Sequence, residues 1–297
     1  MIKINYQENY IKMMYKIREN FNFIDKPLFY TCLGEFLGTF ILMTIGLGIM
    51  IQNVVQRCKN DHLDNHNNNR YLTISTGWSI AFILSQMISS ILSYGLMNPA
   101  MTLSFALIGK LSYHYVLPLT VVQLIGSFFS TLILFIIYYE NIFNNFSQSN
   151  NQLNSTIIEL FILVPSASHY ICFFDRFILT MITTVFILSL NDNRNYDMHK
   201  IYRSIYMAIF TAGRIGALSM NAGTSINPIR DLGPRLAIAV CGWGISVFKT
   251  HNYYFWIPIV APYLGSILGT LLHELIVRTR LSEKHEEDFQ STVNLSS

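Results

Sequence analysis

The chain has 297 residues, of which 52% are hydrophobic and only 12% are charged, and its formal net charge is +3. Because an average soluble domain carries about 25% charged residues, this composition excludes an ordinary soluble domain and indicates a protein that spans a lipid bilayer. The small basic excess indicates no nucleic-acid partner, since it lies in positions that flank the apolar stretches.

The first half of the chain contains three stretches that are long and apolar enough to cross a bilayer, which takes about 20 residues of helix. Residues 1–28 precede them as a polar, basic tail without the apolar core of a cleavable signal peptide. The predicted spans are Phe29–Ile51, Tyr71–Leu92 and Tyr115–Tyr139, and Glu35 is their only charged residue.

A shorter apolar stretch lies between the second and third spans. Asn98–Ile108 has 11 residues, too few to cross the bilayer, and it begins with an Asn-Pro pair. Asparagine is a favoured helix N-cap, and proline is tolerated at the first helical position, where its missing N–H would be unpaired in any case. The sequence therefore predicts a short re-entrant helix that begins at Asn98.

The second half of the chain repeats this order after a connecting loop at about residues 140–170. Spans are predicted at Ile171–Leu190, Ile201–Leu218 and Tyr253–Leu272. A second short helix is predicted at Asn227–Val240, and it also begins with an Asn-Pro pair.

Two copies of one order of elements, at about residues 29–139 and 171–277, predict an inverted repeat. Because each copy has an odd number of spans, the second copy starts on the opposite side of the membrane, and the two short helices enter from opposite leaflets. Non-helical backbone at membrane depth is tolerated only where it is buried in protein or lines a wet cavity. The predicted fold class is an all-α membrane protein with six transmembrane helices and two re-entrant half-helices.

The basic residues predict which side of the membrane the chain ends occupy. Twelve Lys and Arg residues fall on the side of the two tails, 1–28 and 278–297, and seven fall on the other side. Both termini are therefore predicted to be cytoplasmic, with the plasma membrane as the expected location. The 140–170 loop has no Lys or Arg, and its glycosylation sequons at Asn145 and Asn154 fit an outer position.

The two short helices predict a selective site where their N-termini meet. Each N-terminus carries roughly half a positive charge from its aligned peptide dipoles, and the side-chain amides of Asn98 and Asn227 add N–H donors at the same point. A water molecule held by both amides points its hydrogens outward, so a chain of waters reverses polarity at this point and a proton cannot hop through it. The same field opposes cations.

These features resemble the aquaporin superfamily, and specifically its aquaglyceroporin branch, over about residues 29–277. Selectivity in aquaporin-type pores comes from their diameter, their hydrogen-bond donors and an arginine or half-helix dipoles. The residues that match the two Asn-Pro-Ala boxes of the family are Asn98, Pro99 and Ala100, and then Asn227, Pro228 and Ile229, which Arg230 follows.

Other positions resemble the glycerol branch more than the water-selective members. Asp231 and Arg235 follow the second box, where water-selective members usually carry small uncharged residues. Pro258 and Ile259 resemble the proline and aliphatic pair of this branch in the sixth span. The resemblance implies a passive channel for glycerol and other small uncharged solutes such as urea, with water, that excludes protons and ions.

The resemblance also implies four residues at the narrowest ring of the pore. Trp78, 20 positions before the first box, would supply an aromatic wall, and Arg230 would donate hydrogen bonds to passing hydroxyl groups. Thr224 occupies the third position. For the fourth, direct counting reaches Ile215 and a one-residue deletion reaches Gly216, which we prefer because glycine is usual there in glycerol channels.

Charged residues near the boxes are expected to hold the pore loops in place. In the family, the glutamate that matches Glu35 accepts hydrogen bonds from pore-loop amides. The equivalent residue of the second repeat is Arg176, which can only donate, so either Asp175 substitutes for it or the loop is held differently. An Asp231–Arg235 ion pair is a further expected brace, and a position of Arg235 at the level of the lipid headgroups is the alternative.

Two departures from the family pattern bear on conduction. Ile229 replaces the alanine of the second box, and its bulk is expected to narrow or reshape the central constriction. Leu96 and Met97 precede the first box where a histidine and a leucine are usual, which removes a polar brace.

The family further implies a homotetramer with one pore in each subunit, embedded in the lipid bilayer. No cofactor or metal site is expected, because the four cysteines show no ligand spacing, and no nucleophile and base indicate an enzyme. Two alternatives stay open. One is a secondary transporter, which shares inverted repeats and broken helices, and the other is a water-selective or closed, structural protein of the aquaporin type.

Overall fold

The computed structural model describes residues 12, 13, 16, 27–59, 70–146, 157–192, 198–223 and 225–280. Its helices are α1 (Pro27–Lys59), α2 (Arg70–Leu92), α3 (Pro99–Leu107), α4 (Tyr113–Ile137), α5 (Tyr139–Phe146), α6 (His169–Leu190), α7 (Lys200–Leu218), α8 (Ile229–Ile238), α9 (Ser246–Tyr253) and α10 (Ile257–Leu272). Most of both predicted tails, Asn154 and the side chain of Asn145 lie outside the described residues.

Within the part of the chain that the structure describes, five helical segments are long and apolar enough to cross a membrane. They are Pro27–Gln56, Tyr71–Leu92, Tyr113–Ile137, His169–Leu190 and Ser246–Val277. The remaining predicted span, Ile201–Leu218, lies in α7, a helix of 19 residues that contains Arg203 and Arg214. Both arginines line an internal cavity, which is where charged groups within a membrane domain are tolerated.

The ends of some helices differ from the ends of the predicted spans. The first span continues as helix to Lys59, about two turns beyond Ile51. The last span begins as α-helix at Ile257, after a 3₁₀ turn at Tyr254–Trp256. The predicted loop at 140–170 contains most of α5, which is separated from α4 by one residue, Tyr138.

The two halves of the chain pack in matching ways. In the first half α1 packs against α2 and α4, and in the second half α6 packs against α10 and α7. The halves meet along α2 and α7, and each short helix packs against the other half, α3 on α10 and α8 on α4. This exchange of short helices brings both of their N-termini to the interior of the protein.

Glycine allows the third span of each half to approach the first span of that half. A Cβ added to Gly126 of α4 would lie 2.8 Å from the backbone oxygen of Phe36, and one added to Gly269 of α10 would lie 2.6 Å from that of Met181. Small residues at such crossings let membrane helices approach closely. The same kind of contact therefore stabilises both halves.

Candidate functional site

The two asparagines cap the two short helices. Asn98 has an extended backbone at the start of α3, and its Oδ1 accepts a hydrogen bond from the Ala100 amide at 3.0 Å. Asn227 Oδ1 accepts from the Ile229 amide at 3.3 Å in the same manner. The backbone oxygen of Asn227 accepts a hydrogen bond from the Arg230 amide, which closes a first turn. The helix α8 therefore begins at Ile229, whereas the sequence predicts a start at Asn227.

Each asparagine also reaches the loop that precedes the other short helix. Asn98 Nδ2 donates to the backbone oxygen of Ile226 at 3.3 Å, and Asn227 Nδ2 donates to the backbone oxygen of Met97 at 2.7 Å. The two helices therefore meet N-terminus to N-terminus. Each Nδ2 carries a second hydrogen, and both asparagines contribute to the wall of the internal cavity.

The internal cavity has a volume of about 520 Å³ and runs along the contact between α2 and α7. Its lining residues on α2 include Trp78, Phe82, Gln86 and Ser90, and those on α7 include Arg203, Met207, Thr211 and Arg214. These spacings of three and four place each set on one face of its helix. Among the described residues that line the cavity there is no Asp or Glu.

Trp78 and Arg230 face each other at one end of this cavity. The guanidinium carbon of Arg230 lies 6.0 Å from the centroid of the Trp78 ring, which is within reach of a cation–π interaction. Arg230 is only 3% exposed, and its Nη1 donates to the backbone oxygen of Phe161 at 2.8 Å. The cavity wall here has an apolar side and a side that donates hydrogen bonds.

The fifth-span residue that we had predicted at the narrow ring requires a correction. Gly216 is exposed, a Cβ added to it would meet nothing within 4 Å, and it does not line the cavity. Ile215 is buried in the apolar core. Arg214 lines the cavity instead. Because two residues turn an α-helix by about 200°, Gly216 lies on the opposite face of α7 from Arg214. Thr224 lies outside the described residues.

Glu35 holds the loop before the first box. Its carboxylate is fully buried and accepts hydrogen bonds from the amides of Leu96 at 2.8 Å and Met97 at 2.6 Å. Ser93 Oγ and Gln123 Nε2 each donate to it at 2.8 Å. Four donors offset the cost of burying a carboxylate, and they also hold Met97 at a φ of 48°, a left-handed conformation that is uncommon for residues other than glycine.

Arg176 contacts the loop before the second box. Its side chain is fully buried, and Nη1 donates to the backbone oxygen of Ser225. Asp175 is half-buried and makes no such contact among the residues that the structure describes. The sequence left two alternatives, that Asp175 replaces the missing acceptor or that the loop is held differently, and the structure agrees with the second. Arg176 donates to a loop carbonyl, whereas Glu35 accepts from loop amides.

Asp231 and Arg235 form a fully buried ion pair. The distance between Arg235 Nε and Asp231 Oδ2 is 2.5 Å. Asp231 Oδ1 accepts from the Leu163 amide at 2.7 Å, and Arg235 Nη1 donates to the backbone oxygen of Val247 at 2.5 Å. The pair connects α8 to the segments on both sides of it, so Arg235 braces the interior of the protein.

Several predicted site residues do not line the cavity. Ile229 is 2% exposed and does not line the cavity, so the expectation that its side chain narrows the constriction is corrected. Its backbone oxygen accepts from Ser127 Oγ at 2.9 Å, which anchors the start of α8 to α4. The others are Pro99, Ala100, Pro228, Pro258 and Ile259, while Leu96 and Met97 do line the cavity.

Comparison with known proteins identifies the family. Residues 24–273 match the family model described as major intrinsic protein. The chain belongs to this family. It is 29% identical to aquaporin-9 of Homo sapiens over 88% of the chain and 90% of that protein. It is also 28% identical to aquaglyceroporin-2 of Rhizophagus irregularis over 82% of the chain and 76% of that protein.

A solved structure supports the same assignment. The X-ray structure of the aquaglyceroporin from Plasmodium falciparum superposes with a TM-score of 0.74 and 25% sequence identity, over 86% of this chain and 99% of that one. Major intrinsic proteins are membrane channels and not enzymes, so the chain is a multi-pass channel protein with the predicted fold class.

Sequence reasoning missed several residues of this major intrinsic protein. Phe161 and Leu163 lie in the region assigned to the connecting loop, yet their backbone groups hold Arg230 and Asp231. The apolar run at 157–163, within an otherwise polar loop, is the signal that could have located them. For Arg214 no local signal exists, because the facing of α7 depends on its packing against α2.

Proposed function

We propose that this chain is a passive channel for glycerol and other small uncharged solutes, including urea, together with water, and that it excludes protons and ions. The reciprocal contact of the two asparagines at the cavity wall carries this proposal. The similarity of the chain to proteins named aquaporin-9 and aquaglyceroporin supports glycerol and water as solutes.

Proton exclusion follows from the polarity of the groups around the two asparagines. The N-termini of α3 and α8 each contribute roughly half a positive charge, and Asn98 and Asn227 each have an amide hydrogen beyond the one used in the loop contact. A water molecule that accepts from both amides keeps its own hydrogens pointed away from the centre. The hydrogen-bonded chain of waters is therefore broken for proton transfer in either direction.

Selection of polyols follows from the opposed faces of Trp78 and Arg230. The ring of Trp78 can pack against the carbon atoms of glycerol, while the guanidinium of Arg230 donates to its hydroxyl oxygens. A cation that enters this ring loses its hydration shell and faces a fixed positive charge. Neutral solutes with one apolar edge and one hydroxyl-bearing edge therefore pass, and cations do not.

The cavity lining favours passive flux over coupled transport. A secondary transporter usually binds its coupling ion through carboxylates or unwound carbonyl groups at the midplane. No carboxylate is found among the described lining residues, and the midplane carbonyls of Met97 and Ile226 accept from the two asparagines. The described lining therefore offers no carboxylate to a sodium ion or a proton.

The cellular setting belongs to the same proposal. We place the protein in the plasma membrane with both termini in the cytoplasm, on the basis of the basic residues that flank the spans. Family membership supports a homotetramer with one pore in each subunit, which lies in the lipid bilayer.

Stopped-flow light scattering on proteoliposomes tests the proposal. Glycerol and water should both enter faster than in protein-free vesicles, and the ratio of glycerol to sorbitol permeability should fall in the Trp78→Ala/Arg230→Ala variant, which lacks the wall and the donor. Trp256→Ala/Arg280→Ala is the matched control, because both residues are exposed and lie outside the cavity. Glycerol entry no faster than in protein-free vesicles would refute the proposed function.

A further inference from the structure

The segment between α5 and α6 holds Arg230 through one helical turn. Residues 157–161 form this turn, and the Phe161 oxygen in it accepts a hydrogen bond from Arg230 Nη1 at 2.8 Å. Each side chain of residues 157–163 is buried except that of Glu159, which is exposed. Glu159 lies two residues before Phe161, so a contact of its carboxylate restrains the same turn whose carbonyl positions Arg230.

The exposed carboxylate of Glu159 contacts His251, which precedes the last span. His251 Nε2 lies 3.3 Å from Glu159 Oε1, and the two side chains are 25% and 40% exposed. Among the described residues, Nε2 has no hydrogen-bond partner of suitable geometry. The attraction between the two side chains therefore depends on the charge of the ring, and histidine is the side chain that gains or loses its charge between about pH 5 and 8.

The backbone around His251 is held in an uncommon conformation. Residues 251–253 have φ values of 51°, 53° and 60°, in the left-handed region that is uncommon for residues other than glycine. Such conformations persist only where the surrounding structure fixes them. Here His169 Nε2 donates to the His251 oxygen at 3.0 Å, and Arg235 Nη1 donates to Thr250 Oγ1 at 2.9 Å. These bonds fix the backbone that carries the imidazole ring.

His251 lies outside the hydrocarbon region of the membrane. α10 and the π-helix that follows it, His273–Arg278, have 16 and 6 residues. A helix of this combined length is about 33 Å long, enough to cross a hydrocarbon core of about 30 Å. His251 precedes α10 by six residues, so the pH of the adjacent solution acts on its ring.

The other charged or titratable groups around His251 come from three helices. They are His169 of α6, Arg235 of α8 and Lys249 of α9. His169 donates to a backbone oxygen, which its Nε2–H can do in the neutral and in the charged ring, and Arg235 is already in the buried ion pair of α8. Glu159 is thus the acidic group that the His251 ring contacts.

We propose that Glu159 and His251 are positioning residues that set the place of Arg230 through the Phe161 carbonyl, and that polyol selectivity therefore depends on the pH at this surface. Protonated His251 attracts Glu159 and holds the 157–161 turn, so Arg230 is fixed and the narrow ring discriminates against larger polyols. As the pH rises through the range in which histidine loses its proton, this attraction is lost and the carbonyl is held less firmly. The effect on selectivity rests on the proposed function, whereas the pairing does not.

Polyol selectivity at two pH values tests the effect. Proteoliposomes of the full chain are assayed by stopped-flow at about pH 5.5 and about pH 8, on either side of the histidine range. The ratio of glycerol to sorbitol permeability should be about twofold higher at the lower pH, because a partly exposed ion pair contributes little free energy. Glu159→Gln and His251→Asn should show the alkaline ratio at both pH values, and asparagine tolerates the left-handed backbone as histidine does. His251→Lys keeps the charge and should show the acidic ratio at both.

Two control variants separate this pair from other histidines. His169→Gln retains an N–H donor for the His251 oxygen, and His114→Asn removes an exposed histidine of α4. Both should keep the pH dependence of the wild type. A wild-type ratio that is equal at the two pH values, or a pH dependence that persists in His251→Asn, would overturn the proposal.

Chemical unfolding in detergent measures the pairing without conduction. A double-mutant cycle of Glu159→Gln and His251→Asn gives the coupling between the two side chains. This coupling should be present at about pH 5.5 and lost at about pH 8. If the wild type passes no glycerol, the proposed function fails and this cycle still decides the pairing. Coupling that is absent, or equal at both pH values, would refute the pairing itself.

Discussion

Glu35 and Arg176 hold the two pore loops through hydrogen bonds of opposite direction. Glu35 Oε2 accepts from the Met97 amide at 2.6 Å, whereas Arg176 Nη1 donates to the backbone oxygen of Ser225. Both side chains are fully buried. Each binds the backbone one or two residues before an asparagine that caps a short helix. Each loop thus presents a different backbone group to its brace, although the asparagines that follow are arranged alike.

Replacing Arg176 should destabilise the second loop. Arg176→Met leaves the Ser225 oxygen buried without a donor, which costs about 1–3 kcal/mol. Arg176→Gln keeps an N–H donor, so its free energy of unfolding should fall by less. Chemical denaturation of both variants measures the difference. If Arg176→Met proved as stable as the wild type, the bond to Ser225 would have no structural role.

Removing the charge of Glu35 should have a larger effect, because the carboxylate accepts four hydrogen bonds at once. In Glu35→Gln an NH₂ group replaces one carboxylate oxygen. At the position of Oε2 this group would face two other donors, the Met97 amide and Gln123 Nε2. We expect a loss of about 3 kcal/mol or more in the free energy of unfolding, together with a loss of glycerol flux. Glu140→Gln is the control, since Glu140 is exposed on α5. An equal effect of the two substitutions would contradict the assignment.

The buried pair of Asp231 and Arg235 should show strong coupling. Asp231→Asn alone leaves the charge of Arg235 buried without its partner, which costs about 3–5 kcal/mol. The double variant Asp231→Asn/Arg235→Met removes both charges, so its loss of stability should be smaller than the sum of the two single losses. Denaturation of the four proteins in a double-mutant cycle measures this. Additive losses would show that the pair contributes no interaction energy.

Ile229 and Leu96 should differ in their effect on water flux. Ile229 does not line the cavity, so Ile229→Ala should leave water permeability per channel unchanged and lower stability by about 2–5 kcal/mol. Leu96 lines the cavity, and Leu96→Ala should raise water permeability by widening it. Stopped-flow swelling without glycerol compares the two variants. Faster water entry through Ile229→Ala would show that the isoleucine side chain faces the pathway.

Gly216 and Gly126 should respond differently to the same substitution. Gly216→Ala adds a methyl group to an exposed face of α7 that meets nothing within 4 Å, so flux and stability should not change. Gly126→Ala places a Cβ 2.8 Å from the Phe36 oxygen and should separate α4 from α1. Thermal unfolding and glycerol flux of both variants measure the outcome. A change in flux in Gly216→Ala would restore Gly216 to the narrow ring.

The features of this channel that sequence alone predicted are those set by neighbouring residues. Apolar runs of about 20 residues indicate spans, and an asparagine followed by a proline favours the start of a helix. For this reason the spans, the two short helices and the membrane class could be predicted, and the inverted repeat followed from the odd number of spans. The family resemblance also predicted that Glu35 accepts hydrogen bonds from the amides of a pore loop.

Tertiary structure decided which side chains face the cavity and what holds the second loop. Gly216 and Arg214 differ by only two positions, and only the packing of α7 on α2 turns Arg214 inward. The bond of Arg176 to Ser225 and that of Leu163 to Asp231 join residues 49 and 68 positions apart. Helix rotation and contacts across such separations depend on the whole packed chain, because no local pattern of residues specifies them.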